Sequence, residues 1–298
     1  METRRVIALG FFDGVHTGHA VLMNRARHAA DQLGAAAAVL TFDLHPDALV
    51  LGTQQSLINS MADREKLITD CFGMDEMLVI HFTKAVQEMP WQAFVDDYLV
   101  REHGAVHLVC GHDFRFGYRG EGNALLLQER CRALGLGCDV IPAVTVDNVL
   151  VSSTYIRQLI GEGDIRQANR FLGHPHRLSG RVIRGRQVGR TIGIPTANLT
   201  IPQGVLSPAR GVYAAWVTVD GARYAAVTNV GTRPTLQNGE DLTVESWLLD
   251  FDGDLYDREV LVEFMDFIRP ERAFPSVEAL REEILQNARQ ARELLQAD

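Results

Sequence analysis

Cysteine is sparse in this chain and poorly placed for cross-linking or metal binding. Cys71, Cys110, Cys131 and Cys138 form no CxxC pair and no cluster with metal-ligand spacing. That argues against a disulfide scaffold or a zinc module and for reduced, mostly buried thiols. No apolar run approaches the length that crosses a bilayer, and no secretory leader is expected in the first residues. The expectation is a cytoplasmic protein with no membrane partner. Positive charge is also short: 29 Lys and Arg against 38 Asp and Glu give a net charge of −9. Without a basic surface, nucleic acid is not an expected partner. Internal repeats and low-complexity segments are lacking, apart from the run Ala35–Ala38. What is present, 298 residues of which 46% are hydrophobic, suffices for two ordinary domains with cores of their own.

The stretch Gly10-Phe11-Phe12-Asp13-Gly14-Val15-His16-Thr17-Gly18-His19 follows an apolar run, Val6-Ile7-Ala8-Leu9, that reads as a buried strand. It precedes an amphipathic helix with Leu22, Ala26, Ala29 and Leu33 on one face. A strand-to-helix turn of this kind aims exposed backbone N–H groups and the positive end of a helix dipole at one place, which suits phosphate. Gly10, Gly14 and Gly18 let the backbone approach a ligand closely. His16 and His19, three apart, share one face of the helix start and can donate hydrogen bonds to a polyphosphate as its charge shifts. The same pair also suits a metal or an ordinary surface, and its setting decides between them.

Apolar runs recur near residues 5–10, 35–42, 76–82, 105–111 and 138–145, with helical patterns near 18–33, 62–72, 91–102 and 121–134. This alternation predicts a parallel sheet covered on both faces, with ligands at the carboxyl ends of its strands. Two further stretches fall at such ends. Gly111-His112-Asp113-Phe114-Arg115-Phe116-Gly117-Tyr118-Arg119-Gly120 leaves one strand; its glycines, aromatics and arginines suit a nucleotide rim, with Phe114 and Phe116 expected in the core. Val151-Ser152-Ser153-Thr154-Tyr155-Ile156-Arg157 places hydroxyls at a helix start and an arginine one turn on. Hydroxyls, free N–H groups and a planar guanidinium fork can hold leaving phosphates.

Residues 161–173 read as a short helix and a stop, and Gly173-His174-Pro175 reads as a domain boundary. Beyond it, Val-, Tyr-, Thr- and Trp-rich runs near 178–187, 211–219, 223–230, 243–250 and 258–266 predict a small antiparallel sheet or barrel. Asp220-Gly221 marks a hairpin within it. A final helix is expected over 276–296, with Ser276 as its cap and Val277, Leu280, Ile284, Ala288, Ala291 and Leu295 as its packing stripe. Between the strands lies Gly185-Arg186-Gln187-Val188-Gly189-Arg190-Thr191-Ile192-Gly193-Ile194-Pro195-Thr196-Ala197-Asn198. Its glycines can wrap phosphates through backbone N–H groups, though it is neither a Walker A loop nor a protein-kinase loop. Thr196 and Asn198 offer neutral oxygens of the kind Mg²⁺ accepts when phosphates and water complete its shell.

The stretch 10–19 resembles the HxGH signature of the nucleotidyltransferase superfamily, and its F-D-G-V-H form resembles bacterial bifunctional riboflavin kinase/FAD synthetases. The runs G-x-D-F-x-F-G at 111–117 and S-S-T-x-I-R at 152–157 resemble the second and the phosphate-binding motifs of the same family. G-x-x-x-G-R-x-x-G-x-P-T-A-N at 185–198 resembles its riboflavin kinase module, with matching runs at 211–213, 229–235 and 244–251.

The resemblance implies a Rossmann-like parallel α/β nucleotidyltransferase domain over 1–174, then a small antiparallel β-barrel kinase domain with a C-terminal helix over 175–298. It implies that His16, His19 and Arg157 stabilise charge during adenylyl transfer. Gly10, Phe12, Asp13, Gly18, Gly111, Asp113, Ser152, Ser153 and Thr154 would bind the nucleotide there. In the second domain Glu245 would be the general base, Thr196 and Asn198 would hold Mg²⁺, and Gly185, Gly189, Arg190 and Gly193 would wrap the phosphates. Riboflavin and ATP would give FMN and ADP; FMN and a second ATP would give FAD and pyrophosphate. The expected state is a monomer or weak homo-oligomer. Two departures stand out: Tyr256-Asp257 where many relatives carry Tyr-Gly, and the loop Gln237–Asp241. A transferase for another acceptor, which would leave Glu245, Thr196 and Asn198 without a task, and a flavin carrier without turnover are the alternatives.

Overall fold

The computed structural model describes residues 3–43, 55–184, 193–234 and 240–296. Two compact units divide the chain, Met1–Gln55 with Arg64–Ser152, and Ser56–Asp63 with Ser153–Asp298.

The first unit is built on five parallel strands: β1 (Arg5–Leu9), β2 (Ala36–Phe42), β3 (Glu76–Ile80), β4 (Ala105–Gly111) and β5 (Gly137–Ile141). Their order is β3-β2-β1-β4-β5, so β1 is central. Side chains of a strand alternate between faces, and here both faces are buried. Val6 and Ala8 pack with Leu22, Met23 and Ala26 of helix α1 (Thr17–Leu33). Ile7 and Leu9 pack with Phe94, Leu99 and Leu127 on the other side. That is why β1 reads as an unbroken apolar run. Helix α2 (Met61–Lys66), which belongs to this unit from Arg64 onward, continues with wider, π-type turns through Leu67–Cys71. A second π-type helix, α3 (Phe94–Glu102), and α4 (Ala124–Ala133) complete the covering layer. Phe116 is buried and Phe114 packs half-buried beside it, their rings stacked at 5.4 Å. Cys110 and Cys131 are buried and Cys138 is half-buried, but Cys71 is exposed.

In the second unit, helix α5 (Ser153–Glu162) starts at the hydroxyls as expected, and α6 (Ile165–Leu172), stopped by Gly173, is the short helix expected within 161–173. Gly163, at φ 84°, makes the break. Six antiparallel strands follow: β6 (His176–Arg181), β7 (Ala197–Thr200), β8 (Gly211–Val219), β9 (Ala222–Pro234), β10 (Glu240–Leu248) and β11 (Glu259–Arg269). Their order is β6-β11-β8-β9-β10-β7. A bridge from Ile183, just past β6, to Asn198 on β7 joins the first strand to the last, so the sheet is a nearly closed barrel. Asp220 (φ 48°) and Gly221 (φ 79°) turn the β8–β9 hairpin through the two left-handed residues such a turn needs. Helix α7 (Val277–Gln296) lays Ala288, Ala291 and Leu295 on Val212, Ala214 and Val227. Val277, expected in that stripe, is exposed, because the apolar contact begins only further along the helix.

Candidate functional site

The strand-to-helix turn after β1 is tightly wound. Phe12, Gly14 and Val15 all have positive φ (56°, 81° and 44°). Phe12 turns back so far that a Cβ on Gly10 would meet its ring at 3.0 Å. The Phe12 side chain is fully buried under α1, so residue 12 presents its backbone rather than its ring to a ligand. His16 is the N-cap of α1, its Nδ1 accepting from the His19 amide at 3.2 Å. That bond leaves Nε2 as the proton-bearing nitrogen of neutral His16. The His16 and His19 rings stack at 3.6 Å and 9°. His19 Nδ1 is buried with no hydrogen-bond partner among the described residues. Burial, then the neighbouring His16, then Arg64 hold the His19 imidazole well below its ordinary pKa. Two neutral, parallel imidazoles at a helix N-terminus can donate hydrogen bonds without a proton having to leave.

Asp13 is buried below this turn, 3.8 Å from the guanidinium of Arg64 on α2. Gly111 ends β4, and a Cβ there would meet Asp113 Oδ1 at 2.9 Å, so the glycine lets the exposed Asp113 carboxylate fold back over the strand end. Ser152 closes the first unit. Ser153, Thr154 and Arg157 lie on α5 in the second, where Arg157 Nε donates to the Ser56 carbonyl at 3.0 Å.

The barrel carries the other group of candidates. Asn198 on β7 lies directly opposite Glu245 on β10, and Glu245 lies opposite Asn229 on β9. Residues paired this way project from the same face of a sheet. The row continues through Val212 to Arg269. On this face is a cavity of about 370 Å³ lined by Thr196, Asn229, Glu245, Trp247, Phe274 and Ile284, among others. A second cavity, about 440 Å³, is lined by Gly193, Thr196, Asn198, Phe251, Asp254 and Tyr256, among others. Thr196 lines both. The Asn198 amide nitrogen lies 3.3 Å from the Thr196 carbonyl and 3.5 Å from its hydroxyl. Gly185, Gly189 and Arg190 lie outside the described residues, as does most of the loop Gln237–Asp241.

Residues 172–295 match the family described as riboflavin kinase, and residues 1–155 match that described as FAD synthetase. Bifunctional riboflavin kinase/FMN adenylyltransferases are similar along nearly the whole chain. The protein of Listeria monocytogenes is 37% identical, over 94% of this chain and 88% of its own. Those of Pseudomonas fluorescens and Escherichia coli are 35% and 36% identical, each over 97% of this chain and 92% of their own. The chain belongs to the bifunctional riboflavin kinase/FMN adenylyltransferase family. A solved structure from Streptococcus pneumoniae, described as a macrolide-efflux protein, is 31% identical with a TM-score of 0.87, covering 98% of this chain and 95% of that one. Among the described residues here, no helix is long and apolar enough to cross a membrane.

Within this family frame the Tyr256-Asp257 departure has a physical reason. Asp257 sits at φ 63°, where glycine is strain-free and aspartate is among the few side-chain residues that enter readily. Three residues of interest escaped the sequence reading. Arg64 looks like a surface charge in Met61-Ala62-Asp63-Arg64-Glu65-Lys66 yet is fully buried. Asn229 gains its place only through register with Glu245. Phe274, on the wall of the 370 Å³ cavity, lies under both Arg269 (5.4 Å) and Arg272 (5.1 Å), and both arginines pair with Glu283 at 2.9 and 2.5 Å.

Proposed function

We propose that this chain phosphorylates riboflavin with ATP in its barrel and transfers AMP from a second ATP to the resulting FMN in its HxGH module, yielding FAD and pyrophosphate. The carrying observation is the row Asn198–Glu245–Asn229 beside two cavities that share Thr196. In this reading the 370 Å³ cavity takes the flavin and the 440 Å³ cavity takes ATP. Glu245 accepts the proton of the primary ribityl hydroxyl as its oxygen attacks the γ-phosphorus and ADP leaves; a primary alcohol needs a positioned base. Gly185, Gly189, Arg190 and Gly193 would wrap the phosphates of this ATP.

Thr196 and Asn198 would hold Mg²⁺ together with phosphate oxygens and water. Among the described residues no group of three His, Cys, Asp or Glu side chains could hold a metal. Neutral oxygens here fit a small hard cation whose charge is balanced mainly by its nucleotide. Bound there, Mg²⁺ offsets charge on the transferring phosphoryl group.

Adenylyl transfer asks less of acid–base chemistry, because the FMN phosphate is already largely ionised. Its oxygen attacks the α-phosphorus of ATP and pyrophosphate departs. His16 and His19 would donate to the shifting negative charge, with Arg157, Ser152, Ser153 and Thr154 completing the hold on the leaving phosphates. Gly10, Gly18, Gly111 and the backbone at Phe12 would bound the nucleotide, with Asp113 at its rim. Asp13 would serve through the turn it anchors.

The activities divide at residues 1–174 and 175–298, although α5 and α6 pack with the barrel. A cytoplasmic setting supplies both ATP and the reducing conditions that suit cysteines held in no disulfide. A monomer or weak homo-oligomer suffices for this reading, since each site's named residues come from one chain. The test is a time course with riboflavin, ATP and Mg²⁺. FMN should rise and then give way to FAD. FMN that accumulates without FAD would overturn the adenylyl half, and unchanged riboflavin the kinase half.

A further inference from the structure

Arg64 is the most completely buried cation described in the first unit, with no exposed surface at all. Its Nη1 donates to the Phe11 carbonyl at 3.1 Å and lies 3.4 Å from Thr41 Oγ1. Its guanidinium lies over the Phe11 ring at 4.7 Å. Among the described residues Nε and Nη2 have no hydrogen-bond partner, and Asp13 at 3.8 Å is a loose ion-pair partner. Stability does not require this arrangement. The Thr41 hydroxyl already donates to the Phe11 carbonyl at 2.8 Å, so that acceptor stays satisfied without the arginine. A buried charge with loosely met partners is expensive, and an apolar side chain of similar volume is often as stable or more so. The charge is also permanent, since arginine does not deprotonate in proteins. It lies behind the turn that carries the two stacked histidines, near enough to disfavour a proton on His19.

We propose that Arg64 is a positioning residue for adenylyl transfer, a sealed guanidinium that gives the anion seat at the start of α1 a fixed positive charge and holds the Phe11–Asp13 turn in place without touching substrate. A preorganised charge in a dry setting acts on the transition state with little reorganisation. It acts through the histidines: a neutral imidazole next to a fixed cation donates hydrogen bonds while the positive charge stays out of solvent. The groups that face His19 are His16 from the cap and Arg64 from α2, with Asp13 beside Arg64. The inference rests on the adenylyltransferase reading of this module.

The experiment uses the full chain and three variants: Arg64→Met, Arg64→Lys, and Arg64→Met combined with Asp13→Asn, which removes the buried partner charge as well. FAD formation from FMN and ATP is measured across pH, with riboflavin phosphorylation by the same protein and the melting temperature alongside. If the parent chain makes no FAD, the underlying reading fails and not this inference. The expected result is a loss of about 100-fold in kcat for adenylyl transfer in Arg64→Met, the scale of removing one preorganised donor, with KM for ATP little changed. Arg64→Lys recovers at least part of it. The acid limb of the pH profile moves upward in Arg64→Met, because His19 then protonates more easily. Phosphorylation and the melting temperature of the double variant hold. Equal loss in the Met and Lys variants, an unmoved acid limb, or a loss that only follows a fallen melting temperature would each overturn the proposal.

Discussion

Glu245 and Asn198 face each other across adjacent strands, paired one to one in an unbroken antiparallel register that also pairs Ala197 with Ser246 and Leu199 with Val244. The buried pairs on either side pin the proposed base to the proposed metal ligand, because a slip of one residue would turn both out of the site.

Replacing Glu245 with Gln keeps the shape and removes the proposed base. Riboflavin phosphorylation should fall by about 10²–10⁴-fold, the usual worth of general base catalysis. FAD formation from added FMN should be untouched. Separate assays of the two steps on one preparation decide it; loss of both in a folded protein would refute the division of labour.

His16→Ala and His19→Ala should do the converse. FMN should accumulate from riboflavin while adenylyl transfer drops by about 100-fold or more. His16→Ala should also lower the melting temperature slightly, since its ring caps α1, and a lost cap costs about 1 kcal/mol. His19→Ala should not carry that second effect.

The Phe274 ring lies against two arginines that share one carboxylate, Glu283. Glu283→Gln should loosen that wall. The expected signature is a raised KM for riboflavin with kcat little altered, since a binding surface is lost and not a reacting group. A fall in kcat at constant KM would count against the wall assignment.

His176 is fully buried, stacked on Phe264, and neither ring nitrogen has a hydrogen-bond partner among the described residues. Burial, then the nearby His174, pushes its pKa down from 6.5 to about 3. The unfolded chain therefore binds a proton near pH 6.5 that the folded chain refuses. This term costs nothing above that pH and grows as pH falls toward 3, by about 1.4 kcal/mol per pH unit at most. Thermal melts of the parent and His176→Leu at pH 7.5 and 5 should show the variant losing less stability on acidification, by about 2 kcal/mol. Parallel losses would show that His176 is protonated in the fold.

Much of this was legible in advance for a definite reason. The parallel sheet announced itself because Val6–Leu9 is buried on both faces, and the HxGH turn because glycines and histidines cluster where a strand meets a helix. Strand β7 was hidden: Ala197-Asn198-Leu199-Thr200 is short and half polar, and its place comes from pairing with β10, a partner over 40 residues away in sequence. Arg64 was hidden for the opposite reason. A charge inside Ala62-Asp63-Arg64-Glu65-Lys66 follows the pattern of a solvated face, and only the packing of distant residues overrides it.

The shared wall at Thr196 has a practical consequence. Because a single residue borders both cavities, the proposed assignment of ATP to one and flavin to the other implies that a molecule joining an adenosine head to a flavin tail through a short anionic bridge would rest in both at once. Joining the halves converts the second docking into an intramolecular event, so such a hybrid would gain over either fragment by the high local concentration of its own other end. The length of the bridge, more than the strength of either head, would then set its potency.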